Sequence, residues 1–305
     1  MDSIQTITDI NQRPDLRTFH PDALPWPSKL DPAEHAFCSR VCGFPTIRMN
    51  ESRAYWGKEL AQLADIERHV SICLGLISGF ASDSGLLGGV PMMNAMLRFA
   101  AEEYQHANMF YRYVELLIGQ PLDLSGESLE HRLGLFLGPE SPGAKLVALL
   151  ASAYPGETVI TLFEHRVRLF DPTQRHFATR MLVAHGLDEA RHIQFDHYVL
   201  GQLAPSLDDG EWADARRLCR NMEAANHALA ERYEARMRQI LPCEFVEGNT
   251  AARIQRHFSQ KLLRETLAGR TFRLADQALS SQDRALVMDF TGRASIHPGG
   301  GSTWH

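Results

Sequence analysis

His185-Gly186-Leu187-Asp188-Glu189-Ala190-Arg191-His192 is the stretch that decides how this chain reads. On a helix at about 100° per residue, His185, Glu189 and His192 fall within roughly 60° of one another. Two imidazoles and a carboxylate stacked at i, i+4 and i+7 can grip a transition metal from a single helix. A second Glu-x-x-His, Glu103-Tyr104-Gln105-His106, lies upstream in another helical run.

Each Glu-x-x-His supplies a carboxylate able to bridge two ions and a neutral imidazole. In four-helix bundles with a dinuclear centre, the other half comes as one Glu from each of two further helices. The first helix offers Glu67, 36 positions before Glu103, which leaves room to climb one helix, turn and return to the same level. The third offers Glu157 or Glu164, which share a face but differ in height by about 10.5 Å, so only one can reach the ions. Glu157 precedes Glu189 by 32 positions and Glu164 by 25, and the closer match to the first spacing selects Glu157. Pro155-Gly156 directly before it should kink or start that helix. A metal-bound histidine usually gives its other ring N–H to a carboxylate. An acid precedes each motif's glutamate, so Asp188 is expected to hold His106 and Glu102 to hold His192.

Mixed nitrogen and oxygen ligands suit iron, and open positions suit oxygen activation. Four carboxylates and three imidazoles on inward faces would be costly to bury without cations. His69 points about 160° away from Glu67 and is not expected to bind metal; nor are His165, His197, His227 or His257. Tyr104 and Tyr111 read as packing residues, and Arg191 as the partner of an acid or of substrate. Gly88-Gly89 lacks the strand-before, helix-after setting of a dinucleotide fold.

Around these motifs the pattern is helical over roughly 51–82, 90–119, 143–170, 173–202, 208–240 and 249–268. Gly and Pro clusters separate the runs, and Asp171-Pro172 looks like an N-cap followed by proline at the first helical position. Residues 1–50 contain six prolines and little periodicity, so an extended arm is expected there. Residues 51–290 read as a single helical domain and 291–305 as a flexible tail. The expected fold is all-α: a four-helix bundle with additional helices.

The composition, 44% hydrophobic in 305 residues, is ample for one core. A net charge of −6 gives no reason to expect nucleic acid or an anionic membrane as partner. No basic segment followed by an apolar run opens the chain, and no 18-residue uninterrupted apolar stretch occurs. A cytoplasmic location is expected, with the five cysteines as reduced thiols. Cys38 and Cys42, four apart, read as ordinary thiols, and Cys73 and Cys219 as small core residues.

With these residues in view, the chain resembles the p-aminobenzoate N-oxygenase (AurF-like) family of non-haem di-iron enzymes, within the ferritin-like superfamily. The resemblance covers roughly residues 60–200 and rests on the spacings and on His185-x-x-x-Glu189-x-x-His192. In that family a third histidine, four before the last Glu, completes a set of four Glu and three His; desaturases, the ribonucleotide reductase small subunit and bacterioferritins generally lack it. His185 occupies that place. The implied ligands are Glu67, Glu103, His106, Glu157, His185, Glu189 and His192. The resemblance implies two iron ions, O₂ as co-substrate and an external reductase or other electron donor. It also implies oxidation of an amine to hydroxylamine, nitroso or nitro products, in secondary-metabolite biosynthesis. The substrate would be an arylamine, an amino acid or an aminoacyl group on a carrier protein. A di-iron C-hydroxylase or desaturase, or an iron-storage protein, could use the same scaffold. The arm and long helices suit a homodimer.

Overall fold

The computed structural model describes residues 3–12, 20–45, 48–84, 89–122, 124–241, 243 and 249–297. In chain order the helices are α1 (Ser3–Gln12), α2 (Pro32–Cys42), α3 (Met49–Ser84), α4 (Val90–Ile118), α5 (Ser125–Phe136) and α6 (Pro142–Phe170). There follow α7 (Phe177–Leu203), α8 (Asp209–Ile240), α9 (Thr250–Leu267), α10 (Ala275–Ala278) and α11 (Ser281–Thr291). No strand occurs among the described residues, and the architecture is an all-helical bundle.

The α3–α4 hairpin packs on the α6–α7 hairpin to form the bundle, with α8 and α9 laid over α6. α6 is apolar almost all round, which suits the innermost helix. By length and composition it could cross a membrane, yet 83% of its most apolar window is buried inside the bundle. It starts on a Ser141 cap followed by Pro142 and runs unbroken through Pro155. The helix does not start at Pro155-Gly156. Packing on both sides of α6 outweighs the one backbone hydrogen bond that proline removes.

Three other expectations are corrected. Within the segment 1–50, the described helices are packed rather than extended: α1 buries Ile7 and Ile10, and α2 buries Phe37, Cys38, Val41 and Cys42. Asp31 caps α2 by accepting from the Glu34 N–H at 2.8 Å, Pro32 opens it, and Gly43 at φ 78° ends it. Asp171-Pro172 does not start α7. Asp171 instead ends α6, and its carboxylate accepts from the Arg175 and His176 N–H groups at 3.0 and 2.8 Å. α7 begins six residues later, at Phe177, where Glu34 of α2 accepts from the Phe177 and Ala178 N–H groups at 2.9 and 2.6 Å. Finally, the part of the tail up to His297 is docked. Ile296 is fully buried, and the Asp276 carboxylate accepts from its N–H and that of His297. Residues 298–305 of the expected tail lie outside the described residues.

Two apolar clusters fill the bundle, and each central helix passes from one to the other at a common level. α3 changes between Ala64 and Val70, α4 between Ala100 and Ala107, α6 at Ala153 and Tyr154, and α7 between Ile193 and Phe195. The layer left between them holds the carboxylates and imidazoles singled out above.

Candidate metal centre

Helix period alone places the motif residues inward: Glu103 and His106 on α4, and His185, Glu189 and His192 on α7, are all 3% exposed or less. Their ligand atoms, with those of Glu67, form two overlapping groups. One is Glu67, His106, His185 and Glu189; the other is Glu103, His106, Glu189 and His192. His192 Nδ1 lies 3.0 Å from Glu103 Oε1 and 3.3 Å from Glu189 Oε1, and His106 Nδ1 lies 3.4 and 3.3 Å from the same two atoms. His185 Nε2 lies 3.1 Å from Glu67 Oε1 and 3.2 Å from Glu189 Oε1. Glu189 and His106 are thus common to both groups.

The seventh expected ligand, Glu157, is not in either group. It is buried at the same level and lines the same cavity as Glu67, Glu103 and Glu189. Glu164 is engaged elsewhere: Arg168 donates to it at 2.7 Å, and its carboxylate lies against Gly186. Geometry therefore favours Glu157 over Glu164.

The outer acids stand where the sequence spacing puts them. His106 Nε2 meets Asp188 Oδ2 at 3.3 Å, and His192 Nε2 meets Glu102 Oε2 at 3.0 Å. Arg191 ties the two together, donating to Asp188 at 3.0 Å and pairing with Glu102, which Arg98 also contacts at 3.0 Å. Each imidazole is thereby oriented with Nδ1 towards the centre. The Phe99 ring stacks on His192 with centroids 3.8 Å apart.

Burial lowers the His185 pKa to about 3, leaving a neutral imidazole. Burial also opposes charge on His106 and His192, but the carboxylates bonded to them outweigh it and hold both well above the usual imidazole range. Burial, together with neighbouring acids, pushes Glu67 and Glu157 well up. Burial would raise Glu189 too, but the imidazoles of His185, His106 and His192 hold it well below the carboxylate range.

The residues fit a metal pair. Glu67 Oε2, Glu103 Oε1, His106 Nδ1, His192 Nδ1 and both oxygens of Glu157 are buried without hydrogen-bond partners. Unsatisfied polar atoms of this kind are rare in folded interiors and here they converge. Donor separations of 3.0–3.4 Å are what ligands at about 2.1 Å from a shared six-coordinate cation would show. Four ionised carboxylates balance two divalent cations, while Glu102 and Asp188 are balanced by Arg98 and Arg191.

Asp196 was not anticipated from the sequence. It is fully buried beside Glu157, and both its oxygens, like those of Glu157, lack a hydrogen-bond partner. Seven residues after Glu189, it prolongs the stripe His185–Glu189–His192 by one more turn. The histidines set aside lie elsewhere: His69 bonds the Cys73 thiol, His165 the Ile296 carbonyl, and His257 Asp283. His197 lies against the Phe272 ring, and His227 is exposed. Tyr104 is half exposed, and Tyr111 donates to Asp65.

A cavity of about 340 Å³ reaches Glu67, Glu103, Glu157 and Glu189 from the outside. It runs beside α3 from Tyr55 to Val70, about 22 Å at 1.5 Å per residue, with α6, α8 and α9 as its other walls. Ile66, Val70, Val159 and Phe163 make its inner surface apolar, and exposed Gly156, His227 and Gln260 mark its mouth.

No protein-family model matches the sequence, and no curated protein matches it. Among solved structures the chain is similar to R2-like ligand-binding oxidases. One, with an aerobically reconstituted metal cofactor after photoconversion, matches at TM-score 0.54 and 14% identity over 90% of this chain and 94% of that one. Another, with an aerobically reconstituted Mn/Fe cofactor, matches at TM-score 0.52 and 14% identity over 89% and 94%. A variant with an Fe/Fe cofactor matches at 0.51 and 13% over 90% and 94%. At such identities the likeness establishes the fold: this chain is an all-α bundle of the ferritin-like type along nearly its whole length.

Proposed function

We propose that this protein is a di-metal, O₂-dependent N-oxygenase, which oxidises an amino group admitted through the cavity. The ligands would be Glu67, Glu103, His106, Glu157, His185, Glu189 and His192, with Asp188 and Glu102 orienting two of the imidazoles. The observation that carries this reading is the position of His185, whose Nε2 lies 3.1 Å from Glu67 and 3.2 Å from Glu189. A third imidazole, held neutral by burial, is the feature by which the sequence resembles amine oxygenases rather than desaturases or storage proteins. Mn/Fe and Fe/Fe cofactors in structures of the same fold support a metal pair, with two irons as the expected form.

The bound metals supply the reduction of O₂. The chain's own residues do the rest. The apolar stretch formed by Ile66, Val70, Val159 and Phe163 excludes water. The net reaction is R–NH₂ + O₂ + 2 e⁻ + 2 H⁺ → R–NHOH + H₂O, with the electrons from an external donor. A substrate-sized cavity that ends on the carboxylates supports turnover of a small molecule over iron storage.

The test is metal analysis of protein expressed with ample iron, followed by product analysis with reductant and O₂. About two metal ions per chain and O₂-dependent addition of oxygen to an amine are expected. Fewer than one ion per chain, or oxygen found only on carbon, would overturn the proposal.

A further inference from the structure

The cavity carries polar groups of its own, and their charge indicates which amines it takes. Glu223 of α8 is the informative one. Ser152 Oγ donates to its Oε1 at 2.5 Å and Asn226 Nδ2 to the same oxygen at 3.3 Å. Both donors are neutral, and they fix the carboxyl in the cavity wall, where burial raises its pKa. Arg132 donates to Asn226 Oδ1 from outside the lining, and its charge partly offsets the effect of burial on Glu223. At the opposite end Lys58 is the only lysine of the lining, and no arginine lines it. Its Nζ lies 2.8 Å from Glu59 Oε1, while Gln255 donates to Glu59 Oε2 at 2.6 Å, so that charge pair is closed. The remaining charged groups of the wall are the four carboxylates at the metal level.

Among the described residues of the lining, no lysine or arginine is free to receive a carboxylate. Glu223, held only by neutral hydrogen-bond donors, is placed to receive an ammonium. Ser152, which positions Glu223, stands five residues before Glu157 on α6, about 7.5 Å along the helix axis. Val70, Ala153 and Pro155 line the cavity with apolar surface near that level.

Resting on the N-oxygenase reading, we propose that the substrate is an aliphatic diamine: one nitrogen reaches the metal level while the other, as ammonium, is held by Glu223. An axial span of about 7.5 Å calls for roughly four to six methylenes between the nitrogens. Amines that carry a carboxylate, amino acids and aminobenzoates included, are disfavoured, since Glu223 repels the carboxylate and Lys58 is already neutralised.

The experiment uses the full-length protein loaded with Zn²⁺, so that binding is read without turnover. Calorimetric affinities are compared for 1,5-diaminopentane, pentylamine and 6-aminohexanoate. The diamine should bind at least tenfold more tightly than the monoamine, and the aminocarboxylate more weakly than either. Glu223→Gln should weaken diamine binding at least tenfold, to the level of the monoamine. Glu223→Asp, which withdraws the carboxylate by one methylene, should shift the best chain length towards a diamine one carbon longer. Zinc content and melting temperature of each variant confirm that it is folded and loaded. Tighter binding of 6-aminohexanoate, or a diamine preference untouched in Glu223→Gln, would overturn the proposal. Diamine binding as described, with no hydroxylamine formed by the iron-loaded enzyme, would instead refute N-oxygenation and leave the Glu223 site standing. Hydroxylamine formed from monoamines with no diamine preference would do the reverse.

Discussion

Loading the metal-free protein with two divalent cations at neutral pH should release about four protons, two from imidazoles and two from carboxyls. In the metal-free fold His106 and His192 are held well above the usual imidazole range, because the acids bonded to them outweigh the effect of burial. They therefore favour the imidazolium form. Glu67 and Glu157 are pushed well up by burial and by neighbouring carboxylates, which favours their protonated forms. Glu189 is ionised and His185 is neutral. Metal ligation needs neutral imidazoles and ionised carboxylates, so four proton charges leave as two divalent cations arrive. The sign follows directly: groups that carry protons only in the metal-free state make the apparent metal affinity rise with pH. Calorimetric titration with Zn²⁺ in buffers of different ionisation enthalpy counts the protons. His185→Ala sharpens the test, since it removes a ligand that carries no proton. Affinity should fall while the proton count stays the same. A count near zero in the unaltered protein, or a count that drops in His185→Ala, would refute the assignment of charge within the layer.

Asp188→Asn and Glu102→Gln should each weaken metal binding by roughly 10- to 100-fold, because each leaves one ligand imidazole without its charged acceptor; chelator competition measures this. Gly186→Ala should cost about 1–3 kcal/mol in urea denaturation, since a methyl group there overlaps the Glu164 carboxylate against which α7 packs. Glu164→Ala in the same chain should recover most of that loss, and no recovery would mean that the strain lies elsewhere.

Much of the bundle is legible from sequence because its signals are local. The six long helices follow from apolar periodicity broken by Gly and Pro, and their ends fall within a few residues of the expected ones. The α7 start departs furthest, and for a tertiary reason. The cap on Phe177 and Ala178 is Glu34, more than 140 positions away, while the local Asp171-Pro172 signal serves the end of α6 instead. α2 was legible in principle: Asp31-Pro32 with Gly43 is a complete start and stop, masked by the density of prolines around it. At the site, helix period places both Glu-x-x-His pairs and their outer acids, since each relation spans one or two turns. Asp196 lies on the same stripe but falls outside a search that stops at the last ligand. The cavity is of another kind. Its α8 and α9 walls, and with them Glu223, are brought to α3 and α6 by packing that no spacing encodes.

The layered bundle also bears on stability. Apolar clusters close it above and below, and between them lie Glu67, Glu103, Glu157, Glu189 and Asp196, all within 8% exposure. Without cations, this layer keeps neutral only by holding protons, and several of its polar atoms stay unbonded. An unsatisfied buried polar group costs about 1–3 kcal/mol, so the metal-free fold carries a penalty that the metal-loaded fold does not. A ligand present at a thousand times its dissociation constant stabilises the native state by about 4 kcal/mol. Metal loading should therefore raise the melting temperature by several degrees, and the rise should shrink as pH falls because protons compete for the same atoms. Thermal scans of Zn²⁺-loaded and chelator-treated protein across pH 6 to 8 measure both effects. Equal melting temperatures at pH 8 would show that these carboxylates do not gather cations, and the dinuclear centre would fall with that result.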